Sequence, residues 1–355
     1  MNKYFLHIGL HKTGTKFFQH KVFPNLPKDK FIYNPPKLMQ LIADLIKAKD
    51  VDLSIVLDAI EIEKQALEDA SNKKIVISRE IMSGDLFSFY TDHERTHARI
   101  HKAFTDAHII CMLRYQVDWI ISCYRESIHL HHYQTIEEFL SLRDSNDLFV
   151  KTRYVDFDLP SIIESLRRLF PANQISFFFF EDFKDNKEEM VRNISEIFGI
   201  KNIPILYDRD KVPNRGYSAF SICLSILRYK IIKLIGLYEF LIHRPIYFMG
   251  PNGIPAGFEH LSVLKKEKYW HDGFLRDNEE LRSKNYPNNL TFIEKIKMEL
   301  SWRSIIKKRI DKLFYWDWDM LGDLRDELND YFWNENKKLA NALNRMDIPP
   351  NYTKR

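Results

Sequence analysis

Glycine is scarce in this chain, 11 among 355 residues, and cysteine is scarcer, with three. An odd set of cysteines (Cys111, Cys123 and Cys223) without metal-ligand spacing argues against a zinc module, and the simple expectation is a reducing cytoplasm. Charge of one sign is also lacking: 53 basic against 49 acidic residues leave a net charge of +4. That balance argues against a nucleic-acid partner and still permits a locally basic pocket for an anion. No uncharged apolar run reaches the ~18 residues of a membrane span. The apolar N-terminal stretch is too short for a secretion signal and passes directly into a loop. Disorder is excluded by 45% hydrophobic and 14% aromatic residues. The length allows one large domain or two small ones.

Against that scarcity, two glycines fall in a single turn, Phe5-Leu-His-Ile-Gly9-Leu-His11-Lys12-Thr13-Gly14-Thr15-Lys16-Phe17. A short apolar run, a loop and a helical pattern follow one another there. Backbone N–H groups in such a loop converge on one point, and the helix dipole adds partial positive charge. Glycine lets the backbone approach a phosphate closely, and Lys12 supplies a full mobile charge. The turn is not an ordinary nucleoside-triphosphate loop. That motif places lysine directly after the second glycine, whereas here Thr15 follows Gly14 and Lys12 lies between the glycines.

A second strand-to-helix junction carries a phosphate-binding pattern. Ala107–Leu113 reads as a buried strand, and Val117–Tyr124 has helical spacing. Arg114 stands at the junction and Ser122 eight residues on. A guanidinium at a strand's carboxyl end binds phosphate through paired N–H groups, and a hydroxyl on the next helix completes the cradle. Taken alone, the pair also fits an exposed arginine and an ordinary helical serine.

The run His-Ile-Gly9-Leu-His11-Lys12-Thr13-Gly14-Thr15 resembles the 5′-phosphosulfate loop of sulfotransferases, and the Arg114…Ser122 spacing resembles their 3′-phosphate motif. His11 stands where that family usually has proline, and Lys16 where it has threonine or serine. The resemblance implies 3′-phosphoadenosine 5′-phosphosulfate (PAPS) as co-substrate. Its cofactor-binding residues would be Gly9, His11, Lys12, Thr13, Gly14, Thr15, Arg114 and Ser122. Arg215, in Asn214-Arg215-Gly216-Tyr217-Ser218, would close over the cofactor or be an ordinary exposed arginine. Lys16 has no hydroxyl to offer the cofactor and is given no part in binding it. Ile75-Val-Ile-Ser78-Arg79-Glu80 is similar to the second strand of bacterial members. Sulfuryl transfer to an alcohol needs a base and cations at the leaving group. Glu80 is assigned the base and Lys12 the charge-stabilising role. The alternatives for Glu80 are a salt bridge to Arg79 or a helix N-terminal carboxylate, and His20 and His101 are reserve bases. No metal is required, since Lys12 and the loop amides can do what magnesium does in kinases.

The rest of the chain supports an α/β architecture. Continuous apolar strands are expected at Tyr4–Gly9, Lys74–Arg79, His108–Leu113 and Ile175–Glu181, with helices between them. The expected fold is P-loop-like and three-layered, a central parallel sheet flanked by helices, with a mostly helical C-terminal insertion. Residues 1–216 would form the PAPS-binding core, 217–321 a variable acceptor region, and 322–355 a helix returning to the core. His129, His131 and His132 lack the one-face spacing of a zinc site. Stretches 219–242 and 302–318 read as amphipathic helices packed on the core, or as peripheral contacts with the inner face of the membrane. The acceptor implied is a hydroxyl of a carbohydrate or glycolipid. The alternatives are a P-loop kinase acting on a small molecule, and a non-catalytic nucleotide-binding protein.

Overall fold

The structure is a computed structural model. It describes residues 2–352, apart from 87–89, 91, 130–132, 134, 142–157, 207–215, 235–304, 340–342, 344–347 and 350–351. Five strands, β1 (Tyr4–His7), β2 (Phe31–Tyr33), β3 (Lys74–Ser78), β4 (His108–Leu113) and β5 (Ile175–Phe179), form one sheet in the order β2-β3-β1-β4-β5. Every pairing among them is parallel. The α/β class expected from the alternation of strands and helices is therefore present.

The apolar runs make sense as strands because both faces of the sheet are covered. Successive side chains point to opposite sides. Leu6, Ile75, Ile77, Ile109, Cys111 and Leu113 enter one core, and Phe5, Val76, Ile110 and Met112 enter the other. The first core is closed by α2 (Pro36–Lys47), α3 (Leu53–Ala70), α4 (His93–Ala103), α5 (Gln116–His129) and α7 (Leu159–Leu169). Between α5 and α7 lies the short α6 (Ile136–Ser141). Cys111 is fully buried, and burial pushes its thiol up to about 12, as befits a small apolar residue. The second core is closed by the helical stretch after the Gly14 turn, by α8 (Phe180–Asp185) and by α9 (Lys187–Ile197). The first of these begins as α1 (Thr15–Phe17) and widens into a π turn over Phe18–Val22. The wide turn brings Phe18 and Phe23, five apart, into ring contact at 5.8 Å, both fully buried. Asn186 caps α9, its side chain accepting from the Glu189 N–H.

Because all five strands are parallel, their carboxyl ends share one rim. After β1 the chain lays down β2 and β3 on one side of it, then β4 and β5 on the other, so the rim of β1 is the sheet's switch point. Farther along lie α10 (Ala219–Leu234), α11 (Asp311–Leu313) and α12 (Leu324–Asn336). α12 lies against the core: Gln116 and Asn336 exchange two amide hydrogen bonds at 2.7 and 3.0 Å, both side chains fully buried. The Tyr352 hydroxyl donates to Glu181 at 2.9 Å.

One buried pair fixes how the fold responds to acid. His7 shares a 2.7 Å hydrogen bond with the Ser78 hydroxyl, and burial pushes its pKa down from 6.5 to about 3. His97, buried against Ser165, moves in the same direction. In the unfolded chain both imidazoles take up a proton near the ordinary value. Below that value the unfolded state therefore binds more protons than the folded one, and stability falls as pH falls. The expected result is a urea midpoint that is steady above pH ~6.5 and declines between there and pH ~4. A His7→Leu variant should show a shallower decline over that window, whatever its absolute stability. An equal slope would contradict the assignment.

Candidate active site

The turn after β1 is built by close approach. The ladder with β4 continues past the strand, Ile8 N–H donating to the Ile110 carbonyl (2.9 Å) and Leu10 N–H to that of Met112 (3.0 Å). A Cβ on Gly9 would sit 2.8 Å from the Met112 Cβ, which cannot yield without moving the strand. Gly14 has φ +80°, and a Cβ there would meet the Phe183 ring at 2.9 Å. Lys12 also lies in the left-handed region, with φ +66°. For a lysine this is strained and persists only where the surroundings hold it.

Three side chains from three elements hold it. The Tyr90 hydroxyl accepts from the His11 N–H at 2.7 Å. Trp119 of α5 donates its indole N–H to the His11 carbonyl at 3.0 Å. Arg114, one residue past β4, donates Nη1 to the Lys12 carbonyl at 2.6 Å. The Thr13 hydroxyl closes the turn on the Leu10 carbonyl. Both Thr13 and Thr15 are buried. Burial lowers the His11 imidazole to about 4, and the Lys12 charge adds to the effect, so this ring is neutral in ordinary buffers. Tyr90 itself has φ +62° and is fully buried.

Arg114 connects the turn to the second motif. Its guanidinium lies 4.6 Å from the Phe180 ring centroid and is drawn below its ordinary pKa, first by burial, with the Asp118 and Glu181 carboxylates opposing. Its Nε is buried and has no hydrogen-bond partner. A buried donor of this kind costs free energy until an acceptor reaches it. Ser122 lies on α5 three residues after Trp119 and four before Glu126, so the three share one helical face. Both neighbours reach the turn: Trp119 as above, and Glu126 through an ion pair at 2.9 Å with Lys12 Nζ. The next residue back, Arg125, binds Asp317 at 2.8 Å.

On the other side of β1, Arg79 and Glu80 follow β3. Arg79 Nη1 donates to the Met39 carbonyl at 2.9 Å. Glu80 opens a short 3-10 turn and is near enough to Tyr90 to add to the rise of its phenol pKa, which burial dominates. The rim thus brings Gly9, His11, Lys12, Thr13, Gly14, Thr15 and Arg114 together, with Ser122 on the α5 face that carries Trp119 and Glu126, and Glu80 beyond Tyr90. His20 is exposed on the π turn, and His101 packs edge-on against Phe170 in the last turn of α4. Arg215 lies outside the described residues, as do His131 and His132. Among the described residues no cluster of three or more His, Cys, Asp or Glu side chains is placed to hold a metal ion. Tyr90, Trp119 and Glu126 belong to the site although neither sequence motif contains them. Trp119 and Glu126 are discoverable by projecting the helical face of Ser122, whereas Tyr90 carries no sequence signal.

Residues 3–209, more than half of the chain, match the family described as Sulfotransferase domain, and the chain belongs to that family. It is therefore an enzyme that transfers sulfuryl groups. No curated protein matches it. Among solved structures it is similar to a sulfotransferase from Alicyclobacillus acidocaldarius (18% identity, 69% of this chain and 97% of that one, TM-score 0.40). It is also similar to the sulfotransferase domain of the curacin biosynthetic pathway (9% identity, 59% and 75%, TM-score 0.35). A third is the mouse sulfotransferase SULT7A1 complexed with PAP (14% identity, 84% and 87%, TM-score 0.30).

Proposed function

We propose that the enzyme uses PAPS and passes its sulfuryl group to a hydroxyl of a carbohydrate or glycolipid. The observation that carries the cofactor assignment is the 2.6 Å bond from Arg114 to the Lys12 carbonyl. It joins the two expected phosphate subsites on one rim, with the unpartnered Arg114 Nε beside them. The acceptor class rests on the resemblance to bacterial carbohydrate- and glycolipid-type members.

When bound, the cofactor supplies a sulfur atom activated by a phosphate leaving group. The loop amides from Thr13 to Thr15 hold the 5′ end, and Arg114 with Ser122 holds the 3′-phosphate. Lys12 places its ammonium where negative charge grows on the bridging oxygen as the sulfur–oxygen bond breaks. Glu80 takes the proton of the acceptor hydroxyl as that oxygen bonds to sulfur.

Isothermal titration of adenosine 3′,5′-bisphosphate against ATP tests the cofactor. A clear preference for the bisphosphate is expected, and a magnesium-dependent preference for ATP would replace this reading with a kinase. For the base, Glu80→Gln should lower kcat about 10²-fold or more with bisphosphate affinity unchanged. Near-normal turnover in that variant would remove Glu80 from the role.

A further inference from the structure

α10 carries apolar side chains on two faces. Its inward side buries Ile222 together with Ser218, Ala219, Ser221 and Ser225, and Ile226 packs on the same core. A second set faces outward, with Leu227, Ile231 and Leu234 exposed by 55%, 50% and 86%. The inward side is held by polar bonds. Ser218 and Ser221 both donate their hydroxyls to Asp311 at 2.6 Å, Ser218 caps the Ser221 N–H, and Ser225 donates to the Ser221 carbonyl. Burial of the inward side leaves the outward aliphatic residues uncovered.

The outward face is continuous with a second apolar element. At about 100° per residue, Phe220, Leu227, Ile231 and Leu234 fall within roughly 60° of one another. Phe220 stacks on Trp316 at 6.0 Å, in the strap Phe314-Tyr315-Trp316-Asp317-Trp318. Along this strap the side chains alternate. Tyr315 and Asp317 turn inward to Gly216, Arg125 and the Ala219 N–H. Phe314, Trp316 and Trp318 remain exposed.

Charge selects the occupant. Ala219–Leu234 contains Arg228, Lys230 and Lys233 and no acidic residue. Arg228 and Lys230 lie roughly 80° to either side of the apolar stripe. Near the strap, Arg309 and Lys312 are exposed. The acids of this region are engaged elsewhere: Asp311 with the two serines, Asp317 with Arg125, and Asp319 with Arg325. Aliphatic and tryptophan side chains facing out, cations on both flanks and carboxylates neutralised by pairing form the pattern of an interfacial helix on an anionic bilayer. We infer that the outward face of α10 and the 314–318 strap dock this enzyme on the surface of an anionic lipid membrane. The face connects to the active site through Arg125, adjacent in sequence to Glu126, the partner of Lys12.

The native chain carries its own probe. Cys223 is exposed beside the stripe, while Cys111 and Cys123 are buried. The wild-type protein is labelled on Cys223 with an environment-sensitive maleimide. It is then mixed with vesicles of phosphatidylcholine containing phosphatidylserine, or of phosphatidylcholine alone. Blue-shifted emission and co-flotation with the anionic vesicles are expected, both weakened by high salt. A Leu227→Asp, Ile231→Asp double variant should lose at least about tenfold in bound fraction. Its melting temperature and bisphosphate affinity should stay unchanged, which separates this inference from the cofactor assignment. Absence of flotation, equal flotation of the double variant, or a Cys223 thiol that resists labelling without lipid would each overturn it. The last outcome would mean that the rest of the chain or a second copy covers the face.

Discussion

Lys12→Ala is expected to lower kcat by about 10²- to 10³-fold, the loss seen when one preorganised donor to a developing anion is removed. The substitution does not disturb the backbone in a new way. Alanine in the left-handed region carries the same Cβ penalty that lysine already bears at φ +66°, and the bonds from Tyr90, Trp119 and Arg114 all go to main-chain atoms or to the neighbouring residue. What changes is charge. The ammonium is 2.9 Å from Glu126, so its removal takes a positive charge away from that carboxylate and adds a net negative charge beside the turn. Bisphosphate affinity should therefore fall as well. Adding Glu126→Gln to Lys12→Ala should recover much of the affinity and none of the turnover. Stopped-flow or steady-state kinetics beside titration calorimetry separates the two. Recovery of kcat in the double variant would show that Lys12 acts only by neutralising Glu126.

Arg114→Ala should have the larger effect on binding, about 10²- to 10⁴-fold weaker affinity for adenosine 3′,5′-bisphosphate. Each charge-assisted hydrogen bond to the 3′-phosphate is worth about 1.5–3 kcal/mol, and more than one is removed. The same substitution takes away the donor on the Lys12 carbonyl, so the strained turn keeps only two of its three supports. Adenosine 5′-monophosphate, which lacks the 3′ group, should then weaken far less than the bisphosphate. If both nucleotides weaken equally, Arg114 holds the turn and does not touch the 3′-phosphate. Arg114→Lys is not a mild change here, because an ammonium cannot serve the carbonyl and a phosphate in one plane.

The sheet was legible where strands are covered on both faces, since β1, β3, β4 and β5 appear as unbroken apolar runs. β2 was not: Phe-Ile-Tyr is three residues at the sheet edge, too short to show a period. β5 was expected to reach Glu181, yet it ends at Phe179 and α8 starts at Phe180. The four consecutive phenylalanines concealed that boundary. The Glu181 carboxylate decides it by accepting from the Tyr115 N–H at 3.2 Å and the Tyr352 hydroxyl, partners far along the chain. The phosphate turn was legible because its chemistry is local, held in one loop. Tyr90 was not, because it meets the turn only through the tertiary fold, whereas Trp119 follows from the helical face of Ser122. α10 shows the limit of periodicity most plainly. The pattern revealed an apolar helix and could not say which side faced water, because Ile222 is buried beside serines bound to Asp311 while Leu227, Ile231 and Leu234 stay exposed.

The strand that carries the phosphate turn is made before either of its neighbours and completed late. Among the described residues, β1 pairs with 75–78 and 108–110. On a ribosome adding about 5–20 residues per second, it waits on the order of 5–20 s before both neighbours exist. Until β4 is made, one edge of an apolar strand has no partner. Chaperone demand in the cell should therefore be greatest before β4 is synthesised, and destabilising changes in β4 should reduce yield more than equal changes in β5.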